Sequence, residues 1–528
     1  MDLSADVTHR LSSFSSIALR NTAQLRRLEH DAAQTLPPGT LMRRAGLAVA
    51  RLVQARFAHA RRIAVFVGPG NNGGDGLAAA LHLQRAGRDV LVLACGNTAL
   101  QSWAARLPLD AASVWQDVQA RQIPCRLLSA AEDLPAADLY IDALLGIGLS
   151  GPVRDPLAAT VRALQTPDCP PILSVDLPSG LDADRGTSGP ECVRATVTLS
   201  LLGVKPGLCT GPQAWRCGEV WHDDLGVQPP ASLVPAARWL GADVVRAALP
   251  HLPQAAHKGR RGDVRVIGGA AGMTGAALLA ARTAAHLGAG RVHVGLLAPL
   301  TAQVDAQAPE LMLRPPDSLL GGSMAAGCLL FGPGAGTAAA ARDALQRALA
   351  DPLPLVLDAD GLNLLTTGSD NEEPQAAVRQ RTALTVLTPH PLEAARLLGT
   401  TVAAVQADRL RAACDLSARF SAWVVLKGAG SVIASPQQEL WVNSSGNGLL
   451  ATAGSGDALA GAIAALLAAR PHPHSVHAAV WLHGAAADAF LARRGPAGFC
   501  ASALPEWMAR AWNALCHGQF AAPFDGNA

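Results

Sequence analysis

Short runs of Val, Ile and Leu alternate along the whole chain with longer stretches rich in Ala, Leu and Arg. No other feature constrains the fold so tightly, because that alternation specifies βαβ units and parallel sheets. It predicts strands at 63–67, 90–94, 139–142 and 172–176 in the first half. In the second half it predicts strands at 264–268, 292–296, 329–331, 355–358, 385–387 and 423–427. Ahead of them, residues 22–33 carry Leu25, Leu28 and Ala32 at helical spacing with Arg and Glu between them. The pattern breaks at 227–235, VQPPASLVP, and HKGRRGDVRVIGG then opens a fresh strand. The expectation is an α/β domain over 1–226, a linker over 227–236 and a second α/β domain over 237–528. A length of 528 residues accommodates two domains of that size, and no repeat period links them.

Half of the residues are hydrophobic, which is ample for two sizeable cores and excludes a disordered or fibrous chain. The net charge of +2 gives no electrostatic footprint for nucleic acid and no polybasic face for a membrane, so small molecules are the expected partners. The ten cysteines form no CxxC pair and read as free thiols in a reducing cytosol. No signal peptide is apparent, and the longest apolar stretch, 458–469, falls short of the ~20 residues a membrane helix needs. A cytoplasmic protein, assembled as a homo-oligomer, is expected.

In the first half, the strand IAVFV runs into GPGNNGGDG. Gly68, Gly70 and Gly73 satisfy GxGxxG, as do Gly146, Gly148 and Gly151. Alone this is weak, and the second strand ends ACGN without the ribose-binding acid of an ordinary dehydrogenase. More unusual is Asn71-Asn72-Gly73-Gly74-Asp75-Gly76, which reads as a tight oxygen-lined loop around a cation or a ribose, or simply as a turn. Asp142 and Asp176 each end a strand, and Ser179 follows the second. Carboxyl ends of strands in a doubly wound sheet share one edge, so Asn72, Asp142, Asp176 and Ser179 converge there.

Over about 20–226 these segments resemble the N-terminal family of NAD(P)H-hydrate epimerases. The likeness rests on LMRRAG (41–46), NNGGDG, DALLGIGLSGPVR (142–154), SVDLPSGLDADRG (174–186) and KPGLCTGPQAWRCGEV (205–220). One departure, Leu225 within Asp-Leu-Gly at 224–226, exchanges one apolar residue for another. The resemblance implies a Rossmann-like three-layer domain and a potassium ion held by Asn72, Asp142 and Ser179, hard oxygen donors for a hard cation. It implies substrate against Asn71, Asn72, Gly73, Gly74 and Asp75, and against Gly146, Ile147, Gly148, Leu149, Ser150, Gly151 and Pro152. Asp176 would be the acid/base.

In the second half, ATAGSGDALAGAIAALLAAR brings Gly454, Ser455 and Gly456 to the head of an apolar helix. Such a helix N-terminus suits phosphate oxygens, and Asp457 could take a proton from a hydroxyl attacking phosphorus. A plain helix cap is the other reading. There is no GxxxxGK[ST], so this is no Walker site. Other strand ends read GGAAGMTGAA, GPGAG, DADGLN, TPHP and KGAGS, a set that suits a nucleotide plus a second ligand. Lys427 could meet phosphate or stand in an exposed loop, and His390, between two prolines, could equally be a packed loop histidine.

Over about 250–515 this half resembles the ribokinase-like NAD(P)H-hydrate dehydratases, with HKGRRGDVRVIGG, GMTGAALLAA, GPGAG, DADGLN, TPHPLEAARLL, KGAGS and GNGLLATAGSGDALAG in family order. Leu392, Gly448, Ala453 and Ser455 depart from the usual residues. The resemblance implies a ribokinase-like three-layer domain with Asp457 catalytic. It implies substrate at Ala276, Gly334, Gly336, His390 and Asp457, and Mg2+ with ADP bound by Lys427, Gly428, Ala429, Gly430, Ser431 and Gly456. Together the halves imply repair of hydrated NADH or NADPH, the first epimerising the hydrates and the second dehydrating the S form with ADP, leaving AMP and phosphate. A small-alcohol kinase fused to a nucleotide-binding scaffold is the alternative.

Overall fold

The structure, a computed structural model, describes residues 8–97, 99–128, 134–149, 151–250, 254–255, 257–299, 304–321, 327–366 and 372–517. The chain divides into two compact units: one holds Ala18–Ala236, the other Ser12–Ile17 and the chain from Ala237 onward. Ser12–Ile17 lies outside the domain to which sequence order assigns it, for a local reason. Ser16 Oγ donates to Asp243 Oδ1 at 2.7 Å, and the Trp239 indole N–H donates to the Ser12 carbonyl at 2.8 Å. The Pro-rich stretch also differs from a free linker. It lies along the first unit, where Gln24 Nε2 donates to the Val234 carbonyl at 2.6 Å and the Ala236 N–H to the Leu19 carbonyl at 3.0 Å.

The first unit is built on an eight-stranded sheet. From one edge its strands are His9–Arg10, Glu219–Asp223, Val197–Leu201, Ile172–Val175, Leu139–Ala143, Arg62–Val67, Asp89–Cys95 and Cys125–Leu128. Only the short first strand is antiparallel. Burial on both faces explains the continuous apolar runs. Ile63, Val65 and Val67 pack in one core with the helices Thr40–Arg56 and Asn71–Arg85, while Ala64 and Phe66 pack in another with Ala158 and Val161. The chain steps outward from Arg62–Val67 to Cys125–Leu128, then returns to Leu139–Ala143 on the other side. Arg62–Val67 and Leu139–Ala143 therefore flank the switch point where open α/β sheets bind ligands.

In the second unit the strands from Ala237 onward run Met312–Arg314, Arg291–Leu296, Asp263–Gly268, Gly327–Phe331, Leu355–Leu357, Thr385–Leu387, Trp423–Leu426, Val432–Ala434, Leu440–Asn443 and Ala237–Leu240. The first seven are parallel, and the hairpin through Val432–Ala434 is antiparallel. Val264, Val266, Val356 and Val425 pack against the helices Thr274–His286 and Ser455–Ala469. Ile267, Leu357 and Val424 pack with Leu345 and Leu416 on the other face. Each unit is thus a three-layer α/β fold.

Candidate active sites

In the first unit NNGGDG is the opening turn of the helix Asn71–Arg85 rather than a loop. Its glycines allow this against their helix propensity, because a Cβ at Gly73 would stand 1.9 Å from the Gly68 carbonyl oxygen. Helix and strand end meet too closely for any side chain there. A string of hydrogen bonds then gathers the sequence-distant residues. Asn72 Nδ2 donates to the Leu145 carbonyl at 3.0 Å, and the Leu145 N–H donates to Ser179 Oγ at 2.9 Å. Ser179 Oγ in turn donates to Asp142 Oδ1 at 2.6 Å. Asp142 also accepts from Ser174 Oγ at 2.8 Å and from the Ser179 N–H at 2.9 Å. Burial pushes its carboxyl up, and these donors oppose the shift. One polar atom is left over: Asn72 Oδ1 is buried with no hydrogen-bond partner. A buried, unpaired amide oxygen beside a hydroxyl and a carboxylate fits a hard cation such as potassium.

Asp176 follows its strand in a left-handed conformation, φ 71°, which a non-glycine residue adopts at a cost of about 1–3 kcal/mol. The turn is held by its N–H, which donates to the Leu199 carbonyl at 2.8 Å, and by the fully buried Lys205, whose Nζ donates to Asp176 Oδ1. Lys205 Nζ also donates to the Leu201 carbonyl at 2.9 Å and to Ser200 Oγ at 3.2 Å. Asp176 Oδ2 takes none of the hydrogen bonds among the described residues. Lys205 was not among the sequence-derived candidates. Its signal was there to read, because it is the only charged residue between Arg194 and Arg216.

Asp176 and Lys205 line a cavity of about 940 Å³ with Asn71, Asn72, Asp75, Gly146, Ile147, Gly148, Leu149 and Pro152. Gly73 and Gly74 are instead buried in the helix's first turn, Gly74 packed against Met42. Gly151 is a left-handed turn residue with open space around it, and Ser150 lies outside the described residues. Glu29, from the helix Thr22–Thr35, is a further lining carboxylate. Burial, then Asp176 and Glu29, push Asp75 well above the ordinary carboxylate range, while Lys205 pulls it down. Glu29 is raised by burial and by Asp176. The cavity therefore sets two carboxyls that burial and their neighbours make more basic around one ion-paired carboxylate.

In the second unit the GSGD turn opens the helix Ser455–Ala469, with Gly454 left-handed at φ 90° before it. Asp457 lies in the first turn; burial, then Asp358, push its carboxyl up to about 7 against the pull of Lys427. Lys427 is no free loop lysine. Its Nζ donates to Asp358 Oδ1 at 2.8 Å and stands 3.9 Å from Glu393 Oε2. Burial works against its charge, but Asp358 and Glu393 outweigh it and hold the ammonium above its ordinary value. A Cβ on Gly456 would sit 3.2 Å from Lys427 Nζ and 4.0 Å from Asp358 Oδ2, so helix head, lysine and aspartate share one place. Asp358 and Glu393 came from quoted motifs, DADGLN and TPHPLEAARLL, without being singled out. Both are buried acids, Asp358 just past the strand Leu355–Leu357 and Glu393 in the first turn of the helix Pro391–Leu398.

The remaining candidates fall around this centre in different ways. Lys427–Ser431 forms the turn between two antiparallel strands, with Gly428 and Gly430 at positive φ and Ser431 Oγ donating to the Gly428 carbonyl at 3.1 Å. Ala429 is the remaining turn residue. Gly334 and Gly336 are left-handed, and the Gly336 N–H donates to Asp360 Oδ2 at 2.8 Å. A Cβ at Gly334 would stand 3.2 Å from Ala276 Cβ, which brings Ala276 to the same loop. His390 caps the helix Pro391–Leu398, its Nδ1 accepting from the Leu392 and Glu393 N–H groups, and its Nε2 lies 3.3 Å from Glu393 Oε1. Burial, then Lys427, lower the His390 pKa, so a neutral ring faces the site. Burial raises Glu393 to about 7. Asp358, Asp360, Glu393 and Asp457 thus outnumber the cations beside them, Lys427 and Arg396, an excess that fits a nucleotide arriving with Mg2+.

Among the described residues no three His, Cys, Asp or Glu side chains are grouped to hold a metal, and no helix is long and apolar enough to cross a membrane.

Two family profiles match the chain: YjeF-related protein N-terminus over residues 38–207 and NAD(P)H-hydrate dehydratase over 264–509. The bifunctional NAD(P)H-hydrate repair enzyme of Coxiella burnetii is 36% identical over 494 residues, 92% of this chain and 97% of its own length. The Escherichia coli enzyme of the same name is 34% identical, with 93% of each chain covered. Among solved structures, the ADP/ATP-dependent NAD(P)H-hydrate dehydratase of Bacillus subtilis, co-crystallised with ATP and Mg2+, is 30% identical. It covers 52% of this chain and 98% of its own, with a TM-score of 0.46.

Proposed function

Because this chain belongs to the bifunctional NAD(P)H-hydrate repair enzymes, joining an epimerase-type unit to an ADP-dependent dehydratase, we propose how its own residues divide that work. The observation that carries the reading is that each unit sets one carboxylate where its half of the repair needs one: Asp176 in the cavity, Asp457 in the helix's first turn. A small-alcohol kinase is not favoured, since the relatives match along both halves.

In the first unit Asp176 moves the proton that inversion at carbon 6 of the ring requires. Lys205 fixes Oδ1 and leaves Oδ2 toward the cavity. The loop at 146–152 and Asn71–Asp75 form the substrate wall. Asn72, Asp142 and Ser179 would hold potassium, which supplies a fixed positive charge beside the substrate; the orphaned Asn72 oxygen supports this assignment.

In the second unit hydroxide leaves poorly, so the hydroxyl is first phosphorylated. Asp457 takes the hydroxyl proton as its oxygen attacks the β-phosphorus of ADP and AMP departs. Loss of phosphate, with a proton from the neighbouring ring carbon, then restores the dihydronicotinamide. The N–H groups at Ser455 and Gly456, with Lys427, face the transferring phosphoryl group. Lys427–Ser431 and Gly456 would bind the nucleotide, while Ala276, Gly334, Gly336 and His390 would line the substrate. Asp358 is the residue we assign to Mg2+, which supplies charge neutralisation. All ten cysteines stand unpaired, which suits a reducing cytoplasm.

Incubation with hydrated NADH and ADP, following the return of dihydronicotinamide absorbance, tests the reading. Recovery that needs ADP supports it, and no recovery with either ADP or ATP sinks it.

A further inference from the structure

The cavity runs from Asp176 and Lys205 past Asn71 to Cys95, Gly96 and Asn97 at the end of the strand Asp89–Cys95, where Trp103 and Arg106 also line it. In doubly wound dinucleotide sites, this second strand end meets the adenosine ribose. An acid there takes a 2′-hydroxyl, whereas a nearby arginine takes a 2′-phosphate. Here the strand end carries no acid. Arg106 is exposed and its guanidinium makes no hydrogen bond or ion pair among the described residues. Trp103 is 2% exposed and its indole N–H has no partner. That nitrogen stands 3.9 Å from where a Cβ on Gly96 would be, so the indole packs under the strand-end turn, and Arg106 lines the same cavity. An exposed guanidinium with no protein partner among the described residues, lining the cavity beside a strand end that carries no acid, fits an anion with several acceptor oxygens.

We propose that this end of the cavity is a 2′-phosphate subsite, with Arg106 the specificity-determining residue that makes the epimerase unit prefer the hydrate of NADPH to that of NADH. The inference rests on the epimerase reading of the cavity. Asp110 lines the same cavity and could instead accept a free 2′-hydroxyl. That outcome is the one the test separates.

The full-length protein is assayed for epimerisation of the R hydrates of NADPH and NADH, as wild type and as Arg106→Gln. One charge-assisted contact in an exposed site corresponds to a preference of about tenfold in kcat/KM for the NADPH hydrate. Arg106→Gln is expected to bring that ratio to about one. Equal wild-type values, or a ratio the substitution leaves unchanged, would overturn the proposal. Calorimetric titration of the same two proteins with NADP+ and NAD+ gives a readout independent of turnover. If wild type epimerises neither hydrate, the epimerase reading fails. The subsite then stands only if wild type binds NADP+ more tightly than NAD+ and Arg106→Gln loses the difference.

Discussion

At the scale of single residues, Asp457 shows how burial shapes chemistry. Its carboxyl is raised to about 7 by burial in the helix's first turn and by Asp358. A base must be deprotonated to accept a proton, so the dehydration rate should rise with pH through about 7 and fall below it. An unshifted aspartate would keep the rate flat down to about pH 4–5. A pH profile of dehydration that is level across neutrality would contradict the assignment. Asp457→Asn removes the base at nearly constant volume, and dehydration should drop roughly 10²–10⁴-fold while R and S hydrates still interconvert. Lys205 plays a different part. It is 1% exposed and paired with Asp176, so Lys205→Met leaves a carboxylate without its cation. The cost should be about 3 kcal/mol, seen as a lowered melting temperature, together with lost epimerisation. Adding Asp176→Asn should return part of that stability and none of the activity. If Lys205→Met melts like wild type, the pair is not what holds the turn.

At the scale of elements, the close approach of the helix Asn71–Arg85 to the end of the strand Arg62–Val67 sets the whole first site. Gly73→Ala would drive a methyl into the Gly68 carbonyl 1.9 Å away, so helix and strand must part. Its melting temperature should fall by several degrees and epimerisation with it. Gly148→Ala, with nothing within 4 Å, should leave the melting temperature unchanged. Equal melting of the two variants would contradict the packing argument. This contact also marks where sequence reading reached its limit. Six consecutive polar and glycine residues, 71–76, read as a turn by propensity, and close packing against the strand overrode it. The long strands were legible because both faces are buried and their runs are continuous. Val197–Leu201 was missed since Thr198 and Ser200, both buried, interrupt its apolar run. Val432–Ala434 and Leu440–Asn443 were too short to stand out beside a glycine-rich turn. For the site, Asn72, Asp142, Asp176 and Ser179 were legible as a set because strand ends share one edge. Lys205, Asp358 and Glu393 were not, because their roles depend on ion pairs between distant segments, which no local pattern encodes.

For the molecule as a whole, the proposed division gives two chemistries to two sheets, each with its own ionic requirement. Replacing K+ by the smaller Li+ should weaken epimerisation, because the oxygens of Asn72, Asp142 and Ser179 would no longer meet the ion together, and should spare dehydration. Equal epimerisation in both salts would show that Asn72 is a substrate contact only. The most direct measurement of the central claim uses Asp176→Asn, an exchange that keeps shape and removes the proton-transferring group. An equal mixture of R and S hydrates is given to wild type and variant with excess ADP, and the return of dihydronicotinamide absorbance is followed while the hydrates are separated by chromatography. Wild type should recover the whole mixture. The variant should recover the S half at the wild-type rate and the R half only as fast as it epimerises spontaneously. Rapid recovery of both halves by Asp176→Asn, or failure on both, would contradict the division of labour between the two units.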